Sequence, residues 1–462
     1  MKHLNPIILI LLIGLAVSCT SQTGNVNTEQ KGIQPSNTHP QYWTYNGKET
    51  LLLGASDDDN LFQMPGLIEQ LDLLKSNGGN YVRNTMSSRD TGNVWPFQLM
   101  GNGSYNLNQF NDEYWNRFET FLEETKKRDI VVQIEVWATF DFYRENWDVN
   151  PFNPKNNRNL NVFRDKLDTI VSTHPTFTAN NFFRSVPDQM SLHRPLYYQQ
   201  KYVDKLLSIS LNYDHVLYCM DNETSVNADW GRFWSQYIKK AAQLKDKKVY
   251  CTEMWDPHEL DHAFHYETFD HPETYDFVDI SQNNHKTGQE HWDNGLAQFE
   301  RLGRLGNLRP VNNVKVYGSE SRRFTSDQEG IENYVLNVFM GCASTRFHRP
   351  PSGIGLNKQA QAVVKSMREA TDKIDWFNAK ASQNLLDDRE ENEAYCRSTG
   401  KEYAVYFSDG GDVKLKTSLS SPTIQWVDIM RNKWSETQPI DVSDGSINLT
   451  TPGKGDWIAI IK

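Results

Sequence analysis

The stretch Val216-Leu217-Tyr218-Cys219-Met220, continued by Asp221-Asn222-Glu223, decides the fold: an apolar run ends in acidic and amide side chains. A second run of this kind covers 314–319 and is followed by Glu320. Short apolar runs bounded by polar residues are typical of buried strands in a parallel sheet. Because the carboxyl ends of such strands converge, we expect Glu223 and Glu320 to face a common pocket.

Working outward from these two runs, the chain alternates apolar segments with helical periodicity, which predicts repeated β-α units. Eight strands are predicted, at 50–55, 80–83, 130–137, 215–221, 248–253, 277–282, 313–319 and 341–344. A helix is predicted at 112–127, and a long stretch without clear period, 138–193, is expected to wall a cleft. No dinucleotide-binding or phosphate-loop glycine pattern is present, which favours a closed (β/α)8 barrel of the α/β class over an open doubly wound sheet.

Two further segments flank the predicted barrel of residues 39–380. Strand-like runs separated by Gly, Asp and Ser turns predict a small C-terminal β-sandwich at 381–462. At the other end, a basic start and the apolar run 7–17 are too short to span a bilayer and predict a signal peptide at 1–18.

The end of this apolar run, Leu15-Ala16-Val17-Ser18-Cys19, resembles a bacterial lipobox. The resemblance implies cleavage before Cys19, a lipid on its thiol and a polar tether at 19–38. We therefore expect an exported protein that is lipid-anchored to the cell envelope, at the outer membrane or the periplasmic face. An ordinary secretion signal with a chance cysteine is the alternative.

The composition limits the partners. With 48 Lys and Arg against 59 Asp and Glu, the net charge of -11 speaks against nucleic acid and anionic membrane surfaces and fits a neutral ligand. Membrane contact is expected only through the lipid anchor. No cysteine spacing indicates a metal, no cofactor is predicted, and free buried thiols are the expected state of the cysteines after Cys19.

Two carboxylates at strand ends are what hydrolysis of a glycosidic bond requires, since one protonates the leaving oxygen and the other attacks or activates water. The amide of Asn222 could hold a sugar hydroxyl while Glu223 meets the glycosidic oxygen. The dipeptide alone is weak evidence, because Asn392-Glu393 near the C-terminus repeats it. A helix cap or a surface pair is the alternative for Asn222-Glu223.

The positions of Glu223 and Glu320 after the fourth and seventh strands resemble clan A of the retaining glycoside hydrolases, which are (β/α)8 barrels. The resemblance implies that Glu223 is the acid/base and Glu320 the nucleophile, about 5 Å apart. It also implies that Arg83 keeps Glu320 ionised and that His285 touches the nucleophile. A structural salt bridge and an ordinary loop histidine are the alternatives for Arg83 and His285.

The chain departs from this clan after the eighth strand, where a tryptophan usually floors the sugar site. Here the sequence is Thr345-Arg346-Phe347-His348-Arg349, which points to a more polar, acidic or branched sugar and makes Arg346 a candidate substrate-binding residue. Trp137 and Trp255, at the ends of the third and fifth strands, could supply the stacking platforms instead. Packing in the core is the alternative for both.

Further carboxylates leave other mechanisms open. Glu135 and Glu253 lie near strand ends, and either could act as the base of an inverting enzyme, or Glu253 could bind substrate. In Asp57-Asp58-Asp59, Asp58 is a candidate for sugar hydroxyls. Calcium binding or a solvated acidic loop are the alternatives there, and no metal site is adopted.

The C-terminal segment resembles the β-domain, of the collagen-binding type, found in a group of bacterial glycosidases with Bacteroidetes-like lipoprotein signals. The residues that carry this resemblance are Gly400 to Tyr406, Trp426-Val427-Asp428 and Gly455-Asp456-Trp457, and His39-Pro40-Gln41-Tyr42-Trp43 resembles the opening of the barrels in that group. We expect the β-domain to pack against the barrel. The function expected overall is hydrolysis of an oligosaccharide or polysaccharide of plant, algal or host origin. A non-catalytic glycan-binding lipoprotein and a polysaccharide lyase are the rivals.

Overall fold

The computed structural model describes residues 31–173, 180–321 and 326–462. The predicted signal peptide, the lipidation of Cys19 and most of the tether lie outside these ranges. Within them, none of the helices combines the length and the apolar character needed to cross a membrane.

Eight parallel strands form the central sheet, in agreement with the predicted barrel. They are β1 Leu52–Ala55, β2 Tyr81–Thr85, β3 Val131–Trp137, β4 Val216–Asp221, β5 Cys251–Thr252, β6 Val278–Asp279, β7 Val311–Val316 and β8 Ser344–Phe347. The pairing runs β5-β4-β3-β2-β1-β8-β7-β6. Between β5 and β6 the backbone nitrogen of Asp276 donates to the oxygen of Cys251 at 2.8 Å, which nearly closes the barrel.

A helix follows each strand and covers the outside of the sheet. These are α1 Leu67–Ser76, α2 Asp112–Lys127, α3 His193–Ser210, α4 Ala228–Gln243, α5 Ala263–Phe269, α6 Gly288–Arg304, α7 Asp327–Met340 and α8 Lys358–Asp372. The helix α2 has the bounds that the sequence predicts. Its N-cap is Asn111, whose side chain accepts from the backbone nitrogen of Glu113, and the apolar residues of the helix all lie on one buried face.

Two of the predicted strands are displaced. The seventh strand ends at Val316, and the eighth begins at Ser344. The apolar residues before Ser344 close α7 and the turn after it, where Gly341 has a φ of 109° that L side chains rarely adopt. Consequently Glu320 lies beyond its strand, whereas Arg346 lies within one.

The bottom of the barrel is closed by a small antiparallel sheet of strands Ile33–Pro35, Trp43–Tyr45 and Lys48–Thr50. Trp43 is fully buried, and its Nε1 donates to Oδ1 of Asn312 at 3.2 Å. This plug keeps water out of the lower core, so the open end of the barrel is the one at which the strands finish.

Two excursions lie above the strands. A hairpin of Phe97–Leu99 and Tyr105–Phe110 follows β2, and the long stretch after β3 contains the short helices Arg144–Val149 and Val162–Asp165. Aromatic rings from this stretch pack on Trp137, as in the 5.5 Å contact with Phe182. The excursion after β3 is therefore held by its own apolar core.

The C-terminal domain consists of two antiparallel sheets. Its longer strands are Ala394–Ser398, Tyr403–Phe407, Asp412–Lys416, Thr423–Asp428, Ser446–Thr450 and Trp457–Ile461, and its short ones are Lys380–Ala381, Leu386–Asp387, Lys433–Trp434 and Gln438–Pro439. The inward side chains of the two sheets form a separate apolar core.

This β-domain packs against the barrel, as expected. Arg397 is buried at the junction and donates to the backbone oxygens of Phe339 at 3.0 Å and Ala379 at 2.6 Å. Nε1 of Trp434 donates to Oε2 of Glu369 on α8 at 2.6 Å. The four cysteines in the described part of the chain, Cys219, Cys251, Cys342 and Cys396, are buried and free, as predicted.

Two buried carboxyls at this junction make the stability of the protein depend on pH. Burial raises the pKa of Glu332 on α7 to about 7 and that of Asp456 to about 6. Asp456 accepts hydrogen bonds from Tyr406 and from Gln328 of the barrel, both at 2.7 Å. An acid whose pKa is raised in the folded state stabilises fully below its unfolded pKa and loses that contribution as pH rises through the folded pKa.

We therefore expect Glu332→Gln to gain stability relative to the native protein as the pH increases from about 4.5 to about 7, by on the order of 2 to 3 kcal/mol. Denaturant unfolding at a series of pH values measures this difference. The exposed Glu436, changed to Gln, serves as the control and should show no such trend. A constant difference between native protein and Glu332→Gln across that range would contradict the prediction.

Candidate active site

A cleft of about 260 Å³ opens at the carboxyl ends of the barrel strands. Its lining residues share one property: each ends a strand or follows one. They are Asp59 after β1, Arg89 after β2, Phe140 after β3, Asn222 and Glu223 after β4, Lys315 and Tyr317 at β7, and His348, Arg349 and Ser352 after β8. In a barrel of this type the strand ends are where functional groups collect.

The backbone of Glu223 has an unusual conformation. Its φ is 54°, in the left-handed region that a residue with a side chain occupies at a cost of about 1 to 2 kcal/mol. The residues on both sides are pinned, because the nitrogen of Asn222 donates to the oxygen of Trp137 at 3.1 Å and that of Thr224 to Met254 at 2.9 Å. The hydroxyl of Thr139 also donates to Asn222. The strained turn thus places the Glu223 side chain in the cleft.

Three donors meet one oxygen of Glu223. Nζ of Lys315 lies 2.9 Å from Oε1, the hydroxyl of Tyr317 donates to it at 3.1 Å, and Nε2 of Gln282 donates at 3.2 Å. Lys315 also donates to Oδ1 of Asn222 at 2.5 Å. Charge-assisted contacts of this kind orient the carboxylate before any substrate arrives.

A second carboxylate, Asp59, lies on the cleft floor among cations. Burial alone would raise its pKa, but Arg83, His348, Arg346 and Arg349 outweigh that effect and hold the pKa well below its usual range. Asp59 is therefore ionised throughout the working pH range of a protein. Its saturation by cations makes it a structural anion rather than a proton acceptor.

Glu320 differs in position from the other strand-end residues. It lies in the short turn Ser319–Ser321, its side chain is exposed, and it does not line the cleft. Hydrogen bonds to α7 hold this turn outside the cleft: the backbone nitrogen and the hydroxyl of Ser319 both donate to Oδ1 of Asp327, at 2.8 and 2.9 Å. The expectation that Glu320 ends a strand and faces Glu223 is not met in this conformation.

Arg83 and Arg346 are fully buried beneath the cleft, and neither contacts it directly. Nε of Arg83 lies 2.7 Å from Oε1 of Glu135, and its Nη2 lies 3.1 Å from Asp59. Arg346 donates to Ser56 and to the oxygen of Val314. Arg83 thus neutralises carboxylates other than Glu320, and Arg346 supports the floor instead of binding substrate.

The two predicted stacking platforms belong to the core. Trp137 is 1% exposed and packs on Trp230 and Trp234 with ring centroids 5.6 and 5.2 Å apart. Trp255 is 2% exposed, and its Nε1 donates to Thr268 at 2.7 Å. Both side chains therefore pack in the core, which was the alternative that the sequence analysis gave for them. The aromatic rings among the cleft residues are those of Phe140, Tyr317 and His348.

Glu135 and Glu253 are too deeply buried to act as bases or to bind substrate. Thr85 donates to Oε2 of Glu135 at 2.7 Å, while Arg83 neutralises the other oxygen. Glu253 accepts from the backbone nitrogens of Asp221 and Met254 at 2.9 and 3.0 Å. Burial, and then the neighbouring Asp221, raise the pKa of Glu253 well above its usual value, so this pair holds a proton.

Asp58 and His285 lie next to the cleft without lining it. The carboxylate of Asp58 accepts from the nitrogen of Asn60 at 3.0 Å, and Asp59 is the member of the acidic run that reaches the cleft floor. The ring of His285 stacks on His258 at 3.5 Å and lies 6.5 Å from Tyr317. No group of three or more potential metal ligands occurs in the ranges that the structure covers.

Several residues that line the cleft or contact Glu223 were not predicted from the sequence, namely Lys315, Tyr317, Gln282, Arg89, Phe140 and Arg349, whereas Asp59 belongs to the predicted acidic run. The sequence does contain an indication of one of these residues, Lys315. Lys315 is a charged residue inside an apolar strand, and a buried charge is retained only with a partner. The others lie in loops or, for Phe140 and Gln282, in single 3-10 turns after the strands, and periodicity does not predict the course of such segments.

Asp59→Asn is expected to destabilise the protein by about 3 to 5 kcal/mol, because it removes the shared anion of a buried charge network, leaving Arg346 without its carboxylate and Arg83 with Glu135 alone. Chemical denaturation monitored by circular dichroism measures the change. Asp57→Asn is the matched control, since Asp57 is exposed and its Oδ1 only accepts from the nitrogen of Leu356. A loss below about 1 kcal/mol for Asp59→Asn would refute the role of Asp59 as the counter-ion.

Fold and site together define an α/β barrel protein with one polar cleft at its strand ends and an appended β-domain. No protein-family model matches the chain, and no curated protein matches it either. Several solved structures, by contrast, have a similar fold. A glycoside hydrolase family 5 protein from Bacteroides vulgatus ATCC 8482 is similar at 12% identity over 93% of both chains, with a TM-score of 0.61.

Other solved structures give the same result. A protein described as a glycoside hydrolase is 12% identical over 93% of this chain and 96% of its own, with a TM-score of 0.62. An Anoxybacillus alpha-amylase is 11% identical over 89% of this chain and 97% of its own, with a TM-score of 0.53. At these identities the similarity establishes the fold.

Proposed function

We propose that this chain is a glycoside hydrolase that cleaves an O-glycosidic bond at the cleft around Glu223. The observation that carries this function is the placement of Glu223: a strained turn holds it at the end of β4, in a cleft, with Lys315 and Tyr317 on one oxygen. Strain at a polar residue in a cleft is typical of catalytic sites. The glycoside hydrolases among the solved structures of similar fold support the same class.

For the mechanism we propose double displacement with retention. Glu320 attacks the anomeric carbon while Glu223 gives a proton to the leaving oxygen, and the glycosidic bond breaks. Water then attacks the same carbon, Glu223 takes the proton from that water, and the bond to Glu320 breaks. Atoms and charges return to their starting state after both steps.

This mechanism requires the turn after β7 to change conformation when substrate binds. Tyr317, whose hydroxyl contacts Glu223, is three residues before Glu320. A chain of three residues spans at most about 11 Å, so Glu320 is within one turn rearrangement of the cleft. Such closure on substrate is common for loops at active sites.

The exposure of Glu320 also favours a second candidate, a glycan-binding protein without catalysis. In that case the cleft would bind its glycan with the donors around Glu223 and never form a covalent intermediate. Binding without any turnover would support this candidate.

A screen of purified oligosaccharides, with the anomer of the product followed by NMR, tests the proposed function. Release of a product with the same anomeric configuration as the substrate supports retention, and the opposite anomer supports an inverting mechanism. An unsaturated product absorbing in the ultraviolet would instead identify a lyase. Glycan binding without product would support the non-catalytic candidate.

We also propose that the protein is exported and anchored by a lipid on Cys19, as the lipobox-like string indicates. Expression in a bacterial host with labelled palmitate tests this localisation. Label should enter the native chain and be absent from Cys19→Ser, and label in neither would leave an ordinary secretion signal.

A further inference from the structure

The cleft floor holds more arginine N–H donors than its one carboxylate can accept. Four guanidinium groups surround the single carboxylate of Asp59: Arg83 at 3.1 Å, Arg349 at 3.0 Å, and Arg89 and Arg346 at 3.6 Å each. Like charges crowded in a buried site repel one another strongly. One carboxylate cannot balance four arginines.

Other nearby carboxylates offset part of this charge. Glu135 pairs with Arg83 at 2.7 Å, and Glu223 with Lys315 at 2.9 Å. Asp141 lies 3.9 Å from Arg89, but its oxygens already accept from the hydroxyl of Ser87 at 2.8 Å and the nitrogen of Ser88 at 3.1 Å. Asp58 and Asp90 act on Arg349 through space. These carboxylates therefore offset charge without occupying all the N–H donors of Arg89 and Arg349.

Two of these arginines have N–H donors at the cleft surface that their contacts with Asp59 leave unused. Arg349 contacts Asp59 through Nε, which leaves its two terminal amino groups outside that contact, and its side chain is 26% exposed. Both ion pairs of Arg89 exceed hydrogen-bond distance, and its buried Nη1 has no hydrogen-bond partner among the described residues. The guanidinium of Arg89 lies 5.5 Å from the ring centroid of Phe140, another cleft residue.

The neighbouring groups respond to this positive charge. His348 lies 3.5 Å from the carboxylate of Asp59, a contact that favours a charged imidazole. Burial nevertheless lowers the pKa of His348 well below its usual value, and Arg83, Arg346 and Lys315 lower it further. The site thus disfavours another cation. An anion with several acceptor oxygens is the ligand that would complete it.

We propose that Arg89 and Arg349 form a subsite for a negatively charged group of the glycan, either the carboxylate of a uronic acid or a sulfate ester. Both groups present the paired oxygens that an arginine fork binds. This substrate class rests on the proposed function, since the same cleft contains Glu223. It differs from the neutral ligand that the net charge of -11 suggests, because arginine side chains line this cleft although the chain as a whole is acidic.

The test compares each charged probe with a form in which the charged group is esterified or removed. The pairs are oligogalacturonate with its methyl ester, and sulfated carrageenan oligosaccharides with their desulfated forms. Calorimetric titration uses the full chain carrying Glu320→Ala, which prevents turnover during the titration and keeps both arginines in place; each charged probe and its neutral form are compared on this same variant. We expect one charged probe to bind at least about tenfold more tightly than its neutral form, and its affinity to fall as sodium chloride is raised.

Variants then assign the preference to the two arginines. Arg349→Gln and Arg89→Gln should each reduce the charge preference about tenfold. Arg349→Lys, which keeps the charge without the fork, should retain part of it. The control is Arg304→Gln, an exposed arginine on α6 that pairs with Glu300 at 3.6 Å and should change nothing. Melting curves identify any variant that fails to fold.

The outcomes separate the subsite from the hydrolase. A preference confined to oligogalacturonate identifies a uronate, and one confined to the carrageenan pair identifies a sulfate ester. Charge-dependent binding to Glu320→Ala, with no turnover of the same probes by the native chain, would leave the subsite standing and reject the hydrolase. The subsite is overturned if no charged probe binds more tightly than its neutral form, or if both arginine variants keep the full preference.

Discussion

Replacing Glu223 by Gln is expected to reduce kcat/KM on any hydrolysed substrate by about a thousandfold or more, because the amide cannot supply or accept the proton of the leaving group. The substitution keeps the size of the side chain and its place in the left-handed turn. Oligosaccharide binding should therefore persist while turnover is lost. Initial rates and calorimetric binding, measured on the same preparation, give the two quantities separately.

A second Asn-Glu dipeptide in the chain provides a control for this substitution. Asn392-Glu393 repeats the dipeptide in the β-domain, where the Glu393 carboxylate accepts from the nitrogens of Asp412 and Glu390, both at 2.8 Å. Glu393→Gln should leave kcat and KM unchanged. If Glu223→Gln retained more than a tenth of the native rate, Glu223 would not be the acid/base, and the fold would remain without an assigned reaction.

The second large effect is expected at Glu320. Glu320→Ala should lower kcat by about 10⁴-fold or more, since loss of the nucleophile prevents formation of the covalent intermediate. Added azide should restore part of the rate and yield a glycosyl azide of inverted configuration, because the small anion enters from the face that Glu320 vacates. Product NMR reports the configuration directly.

The exposed position of Glu320 makes this result easy to interpret. Removing an exposed side chain changes stability little, so a lost rate would reflect chemistry and not unfolding. Glu436→Ala, at another exposed glutamate, is the matched control. Full activity of Glu320→Ala would reject the nucleophile assignment and, with it, the substrate-induced movement of the turn after β7.

Much of the fold can be predicted from the sequence because buried parallel strands and amphipathic helices have distinct periods. The strand predicted at 215–221 is observed as Val216–Asp221, and the helix predicted at 112–127 has the same bounds in the structure. The eighth strand does not show the apolar pattern of a buried parallel strand. Its residues Ser344–Phe347 include a serine, a threonine and an arginine that are fully buried, so the apolar pattern marks the preceding turn instead.

The site is harder to predict, because residues that end strands can turn inward, upward or into the core. Glu223 reaches the cleft, whereas Trp137 reaches an aromatic core from an equivalent place on the next strand. The positions of Asp59 and Arg349 depend on one another across two loops that are distant in sequence. Only the three-dimensional arrangement of their charges determines such pairs.

The left-handed backbone at Glu223 has a consequence for attempts to make this protein more heat-resistant. Glycine adopts that conformation without steric hindrance, so Glu223→Gly would relax the turn by about 1 kcal/mol. Combined with Lys315→Met, which removes the cation that would otherwise be left buried and unpaired, it would stabilise the barrel while deleting the reactive carboxylate. A library of variants screened only for thermal stability would therefore enrich stable proteins that have lost hydrolytic activity. Engineering at this turn has to screen for turnover and endurance together.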